Sequence, residues 1–298
     1  MTLSGRQFTL TAGAHEATVV EVGAGLRRYT RDGADVTCSY PADALAPKCC
    51  GATLVPWPNR LRAGKYTFDG IDLQLALTEP ATGNAIHGLA RWERWSVVDQ
   101  DAASVTLELD IVPQTGWPFE LRAQVRYALD ADTGLTVTAT ATNTGSGREP
   151  FGAGFHPYLA TSALDSTTVR LPAATRLLLD ERQIPVDAEP VEGTPYDLRH
   201  GRPLGDLRMD DAFTDLQLSG GRGVAEVRTP SGGARVWFDA AFGHLQAFTL
   251  ENFPGSDTAG VAIEPMTCAP DAFNSGAGLI VLEPGGRWSA SWGITPLD

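Results

Sequence analysis

The sequence predicts an all-β protein that folds as one large antiparallel β-sandwich. Three observations carry this prediction. Apolar and polar residues alternate with a period of two in several stretches, the pattern of strands that bury one face. No stretch keeps a helical period beyond a turn or two. The 32 glycines and 20 prolines are spread along the chain, as many short connections between strands require.

The individual strands are predicted from runs that follow one another along the chain. In IDLQLAL, at 71–77, the apolar residues that share one face are Ile71, Leu73, Leu75 and Leu77. The same alternation recurs in SVTLELDI and FELRAQVRYAL, at 104–111 and 119–129. Runs rich in Val, Thr and aromatic residues, which favour strands, cover 134–143, 233–239, 245–251 and 287–294. The Asp-Gly pair in YTFDGIDLQL predicts a hairpin.

The chain is expected to form a single domain over residues 1–298. No internal repeat, low-complexity segment or clear linker divides it, and large all-β folds often reach this size as one domain. Residues 187–213 are predicted to be the longest irregular stretch, and loops of that length tend to be functional or mobile. A sheet face of such a sandwich could hold a ligand.

Composition excludes several classes of partner. The net charge of −13 argues against nucleic acid or an anionic membrane, because both would be repelled. The N-terminus lacks the pattern of a secretory signal, and no apolar run reaches the ~20 residues of a membrane span. The four cysteines fit neither a disulfide framework nor a zinc site. We expect a cytoplasmic protein, monomeric or homodimeric, with reduced thiols.

The residues that could carry chemistry lie in a few unusual segments. In EPFGAGFHPYLA, His156 lies among glycines, which allow unusual φ angles or close packing, and precedes Pro157, which fixes the backbone. His87 lies in GNAIHGLARWERW, and Glu264 ends an apolar run before a proline. Taken singly, a histidine in such a segment is more often structural, and a glutamate at a strand end is often just the first exposed residue.

Other charged residues and chemistries are weaker candidates. Arg60 and Arg62 could be solvated, and Asp210 and Asp211 could belong to a turn or a helix cap. No nucleophile elbow, phosphate-binding loop or dinucleotide fingerprint occurs. A metal site built from the histidines and Glu264 is conceivable, but the wide spacing gives it no support, so we expect neither metal nor cofactor.

Six segments together resemble the aldose 1-epimerase (galactose mutarotase) family. They are NRLRAGKYTFDG, NAIHGLARW, GFHPYL, DDAF, HLQAFT and AIEPMTCAPDAFN, and they occur in the family's order from about residue 50 to the C-terminus. The resemblance implies the family's fold, a galactose mutarotase-like supersandwich, which agrees with the predicted strands. It also implies an isomerase of carbohydrate metabolism, whose partner is a small-molecule sugar and which needs no cofactor.

The resemblance also implies residue roles. His156, in an H-x-Y context, matches the catalytic acid, and Glu264 matches the catalytic base. The implied substrate-binding residues are His87, Arg60, Gln246 and either Asp210 or Asp211, with Asp210 favoured. Arg91, close to His87 in the sequence, is an additional candidate for substrate binding. Interconverting anomers needs one acid and one base at the anomeric centre, and we expect their pKa values to be only moderately tuned.

The substrate class stays open at this stage. Phe155 stands where galactose-type members carry asparagine, and HGLARW is closer to a branch with varied substrates. Arg62, Arg91 and Arg94 could grip a phosphate or sulfonate, which would make the substrate an anionic hexose. A non-catalytic sugar-binding protein is a further alternative. A glycosidase is the weakest, because Glu264 has no evident carboxylate partner.

Overall fold

The computed structural model describes residues 2–230, 232–256 and 258–298. Its strands are, in chain order, β1 (Gln7–Ala12), β2 (His15–Val20), β3 (Gly25–Arg31), β4 (Ala34–Asp35), β5 (Thr53–Leu54), β6 (Arg60–Leu61), β7 (Lys65–Phe68), β8 (Ile71–Gln74), β9 (Ala85–Ile86), β10 (Ser96–Gln100), β11 (Ser104–Ile111), β12 (Leu121–Asp130), β13 (Gly134–Asn143), β14 (Glu149–Phe151), β15 (Gly154–Phe155), β16 (Tyr158–Thr161), β17 (Thr168–Arg170), β18 (Ala173–Leu179), β19 (Pro185–Pro190), β20 (Arg202–Pro203), β21 (Asp210–Leu216), β22 (Arg222–Thr229), β23 (Gly232–Asp239), β24 (His244–Leu250), β25 (Ala259–Met266), β26 (Ile280–Leu282) and β27 (Arg287–Leu297). Among these described residues, helical segments are limited to α1 (Ala272–Ser275) and two 3-10 turns, Pro47–Cys49 and Arg62–Gly64.

Two large antiparallel sheets dominate the fold. The first has the strand order β10-β11-β12-β13-β27-β23-β22-β17-β20. The second has the order β19-β18-β21-β24-β25-β15-β5, with β16 paired to β25 as well. A four-stranded sheet, β1-β2-β3-β4, and three two-stranded ribbons, β14-β26, β6-β9 and β7-β8, complete it. The predicted all-β, antiparallel architecture is confirmed.

The two large sheets contribute to one hydrophobic core. Val125 and Tyr127 of β12 lie in the same buried cluster as Phe213 of β21 and Ile263 of β25. Along β12 buried and more exposed residues alternate without interruption, as expected for a strand with one face on the core. The alternation therefore predicted correctly which face of this strand is buried.

Predictions for the short ribbon β7-β8 are right about its turn and wrong about its burial. Asp69 and Gly70 both have positive φ, 48° and 78°, which is the backbone of a type I′ hairpin turn. Ile71 and Leu77, however, are 58% and 49% exposed. The reason is that the ribbon pairs with no other strand, so only Leu75 among these residues reaches full burial.

Two further stretches are more regular than expected. The alternating runs predict no strands in the first 50 residues, yet β1 to β4 form a sheet there. The stretch 187–213 contains the end of β19, the short β20 and the start of β21, so it is only partly irregular. Within the described residues, no helix has the length and apolar character needed to span a membrane.

Candidate active site

The floor of the candidate site is one face of the second large sheet. Gln246 of β24 lies directly opposite Glu264 of β25, and Tyr158 of β16 lies opposite Ala262, two residues before Glu264. Because residues two apart on a strand share a face, these side chains project to the same side. Every residue of β25 is buried, which makes Glu264 a carboxyl on an otherwise apolar strand.

His156 is held in the short connection between β15 and β16. Its backbone N–H donates to the carbonyl of Ala52, and its own carbonyl accepts from the N–H of Gly51. The ring stacks on that of Tyr158, with centroids 4.9 Å apart. A Cβ at Gly154 would lie 2.7 Å from Pro58 Cβ, so the glycine serves close packing rather than an unusual φ.

A second wall comes from the β6-β9 ribbon and the residues that flank it. Arg60 pairs with Ile86 in the register of this ribbon, which places His87 beside Asn59. His87 has a φ of 63°, an uncommon conformation for a residue with a Cβ. Gly88 follows it, also at positive φ, and a Cβ there would lie 2.0 Å from the Val55 carbonyl oxygen.

These walls enclose a cleft of about 360 Å³. The predicted residues that line it are Arg60, His87, Arg91, His156, Asp210, Gln246 and Glu264. Residues far apart in the sequence therefore meet around one cavity of a size suited to a small molecule. The rings of His87 and His156 meet edge to face with centroids 5.6 Å apart.

Of the two adjacent aspartates, only one faces the cleft. Asp210 accepts a hydrogen bond from the Gln246 side-chain amide at 2.7 Å. Asp211, the next residue on β21, instead forms an ion pair of 2.6 Å with Arg176. Successive side chains of a strand point to opposite faces, so Asp211 does not line the cleft, and its assignment as an alternative substrate-binding residue is corrected.

The cleft floor holds an acid–base pair in direct contact. His156 Nε2 lies 3.4 Å from Glu264 Oε1, and both side chains are nearly fully buried. Two polar atoms of the pair, His156 Nδ1 and Glu264 Oε2, have no hydrogen-bond partner in the described part of the chain. Buried polar atoms without a partner are uncommon, and a ligand in the cleft could satisfy them.

Burial shifts both groups strongly toward their neutral forms. It lowers the pKa of His156 to about 3. Burial, reinforced by the charge of Asp210, also raises the pKa of Glu264 well above its usual range. The expectation of moderately tuned groups is therefore wrong, because both side chains are nearly fully buried. At a pH above the pKa of His156 and below that of Glu264, the pair holds one proton.

The remaining polar side chains form two connected groups. Arg60 donates two hydrogen bonds to the carboxylate of Glu79, at 2.8 and 2.9 Å. Burial raises the pKa of Asp210, while the charge of Arg60 opposes that shift. Arg60 and Glu79 are thus paired with each other, and Asp210 is hydrogen-bonded to Gln246. Together they line the cleft with polar groups that could hydrogen-bond to a ligand with several hydroxyl groups.

One edge of the cleft is basic. Arg91 donates to Cys49 Sγ at 3.1 Å and has no carboxylate within ion-pair distance among the described residues. Lys48 lines the same cleft and likewise forms no ion pair there. Arg62 and Arg94 do not line the cleft. Arg62 pairs with Asp180 and Asp271 and Arg94 with Glu21, which corrects their assignment to an anion pocket.

Several lining residues were not identified from the sequence. They are Lys48, Cys49, Asn59, Thr78, Glu79, Ile86, Tyr158 and Phe248. Phe248 follows Gln246 at an interval of two on a predicted strand, so alternation could have found it. Glu79 and Lys48 lie in irregular segments without a period, and nothing in the sequence places them at the cleft.

Comparison with known proteins supports a single family over nearly the whole chain. A sequence profile of the aldose 1-epimerase family matches residues 6–295. The protein YihR of Escherichia coli K12, described as uncharacterized, is 33% identical over 96% of this chain and 91% of its own length. The aldose 1-epimerase of the same organism is 30% identical over 54% of this chain and 48% of its own length.

Solved structures show the same fold at low sequence identity. The GalM/aldose epimerase homologue of Caenorhabditis elegans superposes with a TM-score of 0.86 and 17% identity, covering 98% of each chain. The galactose 1-epimerase of Lactobacillus acidophilus gives a TM-score of 0.81 and 20% identity, over 97% of this chain and 93% of its own. The β-sandwich fold is thus shared among these proteins.

Proposed function

This chain belongs to the aldose 1-epimerase family, and we propose that it interconverts the α and β anomers of a hexose by acid–base ring opening and reclosure. The observation that carries the proposal is the 3.4 Å contact between His156 Nε2 and Glu264 Oε1 on the cleft floor. An acid and a base side by side in a polar cleft match what the reaction needs, because it transfers protons only.

The reaction can be followed atom by atom. The Glu264 carboxylate takes the proton of the C1 hydroxyl, the C1–O5 bond breaks with its electron pair going to O5, and protonated His156 gives its proton to O5. Rotation about C1–C2 then presents the other face of the aldehyde. On reclosure O5 attacks C1, His156 regains its proton, and Glu264 returns its proton to O1. Positioned proton transfers of this kind contribute about 10²–10⁴-fold to a rate.

The single proton of the pair fits this cycle. With a closed sugar the proton belongs on His156, and with the open aldehyde it belongs on Glu264. Burial favours the second, uncharged arrangement, which is the protonation state that accompanies the open aldehyde. A transfer over the 3.4 Å between His156 and Glu264 interconverts the two arrangements without a proton from solvent.

The other cleft residues would bind hydroxyl groups. Asp210 and Gln246 are hydrogen-bonded to each other and offer an acceptor and a donor to a diol. Arg60 is anchored by Glu79, which fixes its guanidinium at the cleft. None of these residues hydrogen-bonds to Glu264 in the described part of the chain, so we assign them to binding and orientation.

The test is a direct measurement of anomer exchange. NMR exchange spectroscopy or polarimetry on freshly dissolved glucose, galactose and other aldoses is expected to show exchange accelerated well above the spontaneous rate. Binding of a sugar without acceleration would contradict the proposal and favour a non-catalytic sugar-binding protein. Release of a sugar from a glycoside would indicate a glycosidase instead.

The basic edge of the cleft favours a second candidate, a 1-epimerase of a hexose that carries an anionic group. Lys48 and Arg91 both line the cleft, and neither is neutralised by a carboxylate among the described residues. A guanidinium binds phosphate or sulfonate oxygens in a planar, bidentate manner. An anionic substituent on the sugar would give these two cations the counter-charge that the protein does not provide.

The two candidates are separated by one pair of substrates and one variant. Exchange is compared for glucose and glucose 6-phosphate with the unchanged protein and with Arg91→Ala. If the substrate is anionic, Arg91→Ala lowers kcat/KM for the phosphate by about tenfold or more, a loss of roughly 1.5–3 kcal/mol, and spares glucose. Arg94→Ala, which removes a cation outside the cleft, is the matched control and should affect neither sugar.

A further inference from the structure

We propose that Asn59 is a positioning residue that fixes His87 as an Nε2–H hydrogen-bond donor and orients the amide of Gln246 in the same cleft. The inference rests on the proposed function and deepens it, because it assigns to Asn59 the positioning of two other cleft residues, His87 and Gln246. It rests on the direction of the hydrogen bonds that Asn59 makes with its backbone and with its side chain.

Asn59 and His87 hold each other through their backbones. The His87 N–H donates to the Asn59 carbonyl at 2.9 Å, and the Asn59 N–H donates to His87 Nδ1 at 3.2 Å. Both residues have positive φ, 54° and 63°. Such conformations are sparsely populated for residues with a Cβ and persist where the surroundings enforce them. The mutual hydrogen bonds are such a constraint.

The backbone contact decides where the His87 proton lies. A backbone N–H is only a donor, so Nδ1 must accept and cannot carry a proton. In a neutral imidazole the proton is then on Nε2. Nε2 makes no hydrogen bond with any described residue, and His87 lines the cleft. The ring therefore presents an N–H to the ligand rather than a lone pair.

The same contact opposes protonation of His87. A second proton on Nδ1 would face the Asn59 N–H, so the imidazolium would lose this hydrogen bond. The charged and titratable groups around the ring, His156, Arg60 and Arg91, act in the same direction, and together with burial they hold the pKa of His87 well below its usual range. His87 thus donates a hydrogen bond but does not exchange protons, which leaves proton transfer to His156 and Glu264.

The Asn59 side chain sets the orientation of a second ligand-facing group. Its Nδ2 donates to Gln246 Oε1 at 3.2 Å, while its Oδ1 accepts from the Arg60 N–H at 2.8 Å. Gln246 Oε1 is therefore the acceptor in this contact. Its Nε2 then donates to Asp210 at 2.7 Å. The two hydrogen bonds therefore point the same way: Asn59 donates to Gln246, and Gln246 donates to Asp210.

The first test needs no sugar. In the sugar-free protein, ¹H–¹⁵N correlation spectra of the histidine rings are expected to show His87 protonated at Nε2 only and unchanged between about pH 5 and 8. A proton on Nδ1, or titration of His87 in this range, would overturn the proposal. Because no turnover is measured, this result does not depend on the proposed function. If the spectrum is as expected but mutarotation is not accelerated, the proposed function is wrong while the protonation state assigned to His87 still holds.

The second test separates the backbone from the side chain of Asn59. Asn59→Gly keeps the positive φ without strain and keeps the N–H that His87 accepts, but removes the donor to Gln246. The variant is expected to leave the His87 ring signals unchanged, shift the Gln246 side-chain amide signals, and lower kcat/KM about tenfold. Unchanged Gln246 signals would overturn the second half of the proposal.

A matched pair of variants at His87 tests its role as a donor. His87→Gln keeps an N–H donor and His87→Ala removes it, and both keep a Cβ at positive φ. We expect Gln to retain at least about tenfold more activity than Ala, since the variants differ by one hydrogen bond. Equal losses, with both variants folded and the pH profile of each altered, would show that His87 exchanges protons and would contradict the proposal.

Discussion

Two regions of the molecule bury a glutamate with unpartnered oxygens, and only one of them looks like a site. Glu264 lies on the cleft floor, 2% exposed, beside His156. Glu149 begins β14, opposite Leu282 in the β14-β26 ribbon, and is fully buried with no partner for either oxygen in the described residues. Glu149 does not line the cleft.

Burial alone therefore does not identify a functional carboxyl. Burial raises the pKa of Glu149 to about 8, in the same direction as for Glu264, although Glu149 lies outside the cleft. What distinguishes Glu264 is a titratable neighbour shifted in the opposite direction and an opening to a cleft. A perturbed pKa suggests function only in combination with such a partner.

The largest expected effect is on activity and tests whether Glu264, unlike Glu149, is needed for catalysis. Glu264→Gln removes the proposed base while keeping its shape, and it should lower the rate of anomer exchange by at least about 10²-fold. The free energy of unfolding, measured by urea denaturation, should not fall, since the variant removes a buried ionisable group. Glu149→Gln is the matched control and should keep full exchange activity. Comparable losses in both variants would contradict the distinction.

The next effect is a pH-dependent change in the free energy of unfolding when Glu149 is replaced. Its folded pKa of about 8 lies above the reference of 4.5, so the folded state holds the proton more tightly. Stability from this group is complete below about pH 4.5 and is lost as the pH rises toward 8. Glu149→Gln should thus become progressively more stable than the unchanged protein over this range, by at most about 5 kcal/mol.

The control for that measurement is a solvent-exposed glutamate of the same protein. Glu93 is exposed, and Glu93→Gln, measured in the same series of urea denaturations, is the matched control for changing a glutamate to glutamine at the surface. A stability difference for Glu149→Gln that does not change with pH would show that Glu149 is ionised in the folded protein at neutral pH.

A smaller effect separates the two neighbouring aspartates on β21. Asp210→Asn should raise KM about tenfold with little change in stability, because Asp210 faces the cleft and accepts from Gln246. Asp211→Asn should leave KM unchanged and lower the free energy of unfolding by about 1–3 kcal/mol, since it breaks the ion pair with Arg176. A rise in KM for Asp211→Asn alone would reverse the assignment.

The smallest expected effect is a plateau in the pH profile. Since burial lowers the pKa of His156 to about 3 from its reference of 6.5, the one-proton state of the pair persists through pH 6.5. The value of kcat/KM should therefore stay constant across that pH and decline only where the pH exceeds the raised pKa of Glu264 and this group loses its proton. A decline centred near 6.5 would show that His156 titrates as a solvated histidine.

Much of the fold follows from local patterns in the sequence. Alternation in 121–129 predicts the buried face of β12, because the side-chain period of a strand is fixed by its backbone. The Asp69-Gly70 turn follows from residues that tolerate positive φ. The same rule fails for Ile71 and Leu77, since alternation states which residues share a face but not whether another sheet covers it.

The candidate site likewise has features that the sequence predicts and features that depend on the tertiary structure. The segments around His87, His156 and Glu264 stand out by their residue types, and resemblance to a family brings them together as one hypothesis. The separation of Asp210 from Asp211, the pairing of Arg62 and Arg94 with carboxylates elsewhere, and the presence of Lys48 at the cleft depend on where side chains end up in space. No local pattern encodes these distances.

The sequence by itself determined the chemical groups and the strands that carry them, because residue type and period are local properties of the chain. Only the tertiary structure decided which of those groups share a water-poor cleft, and therefore how their pKa values shift. Desolvation and charge proximity depend on packing between distant segments. Two glutamates of equal chemistry thus differ in their surroundings, because one was folded beside a histidine and a cleft, and the other was buried away from that cleft.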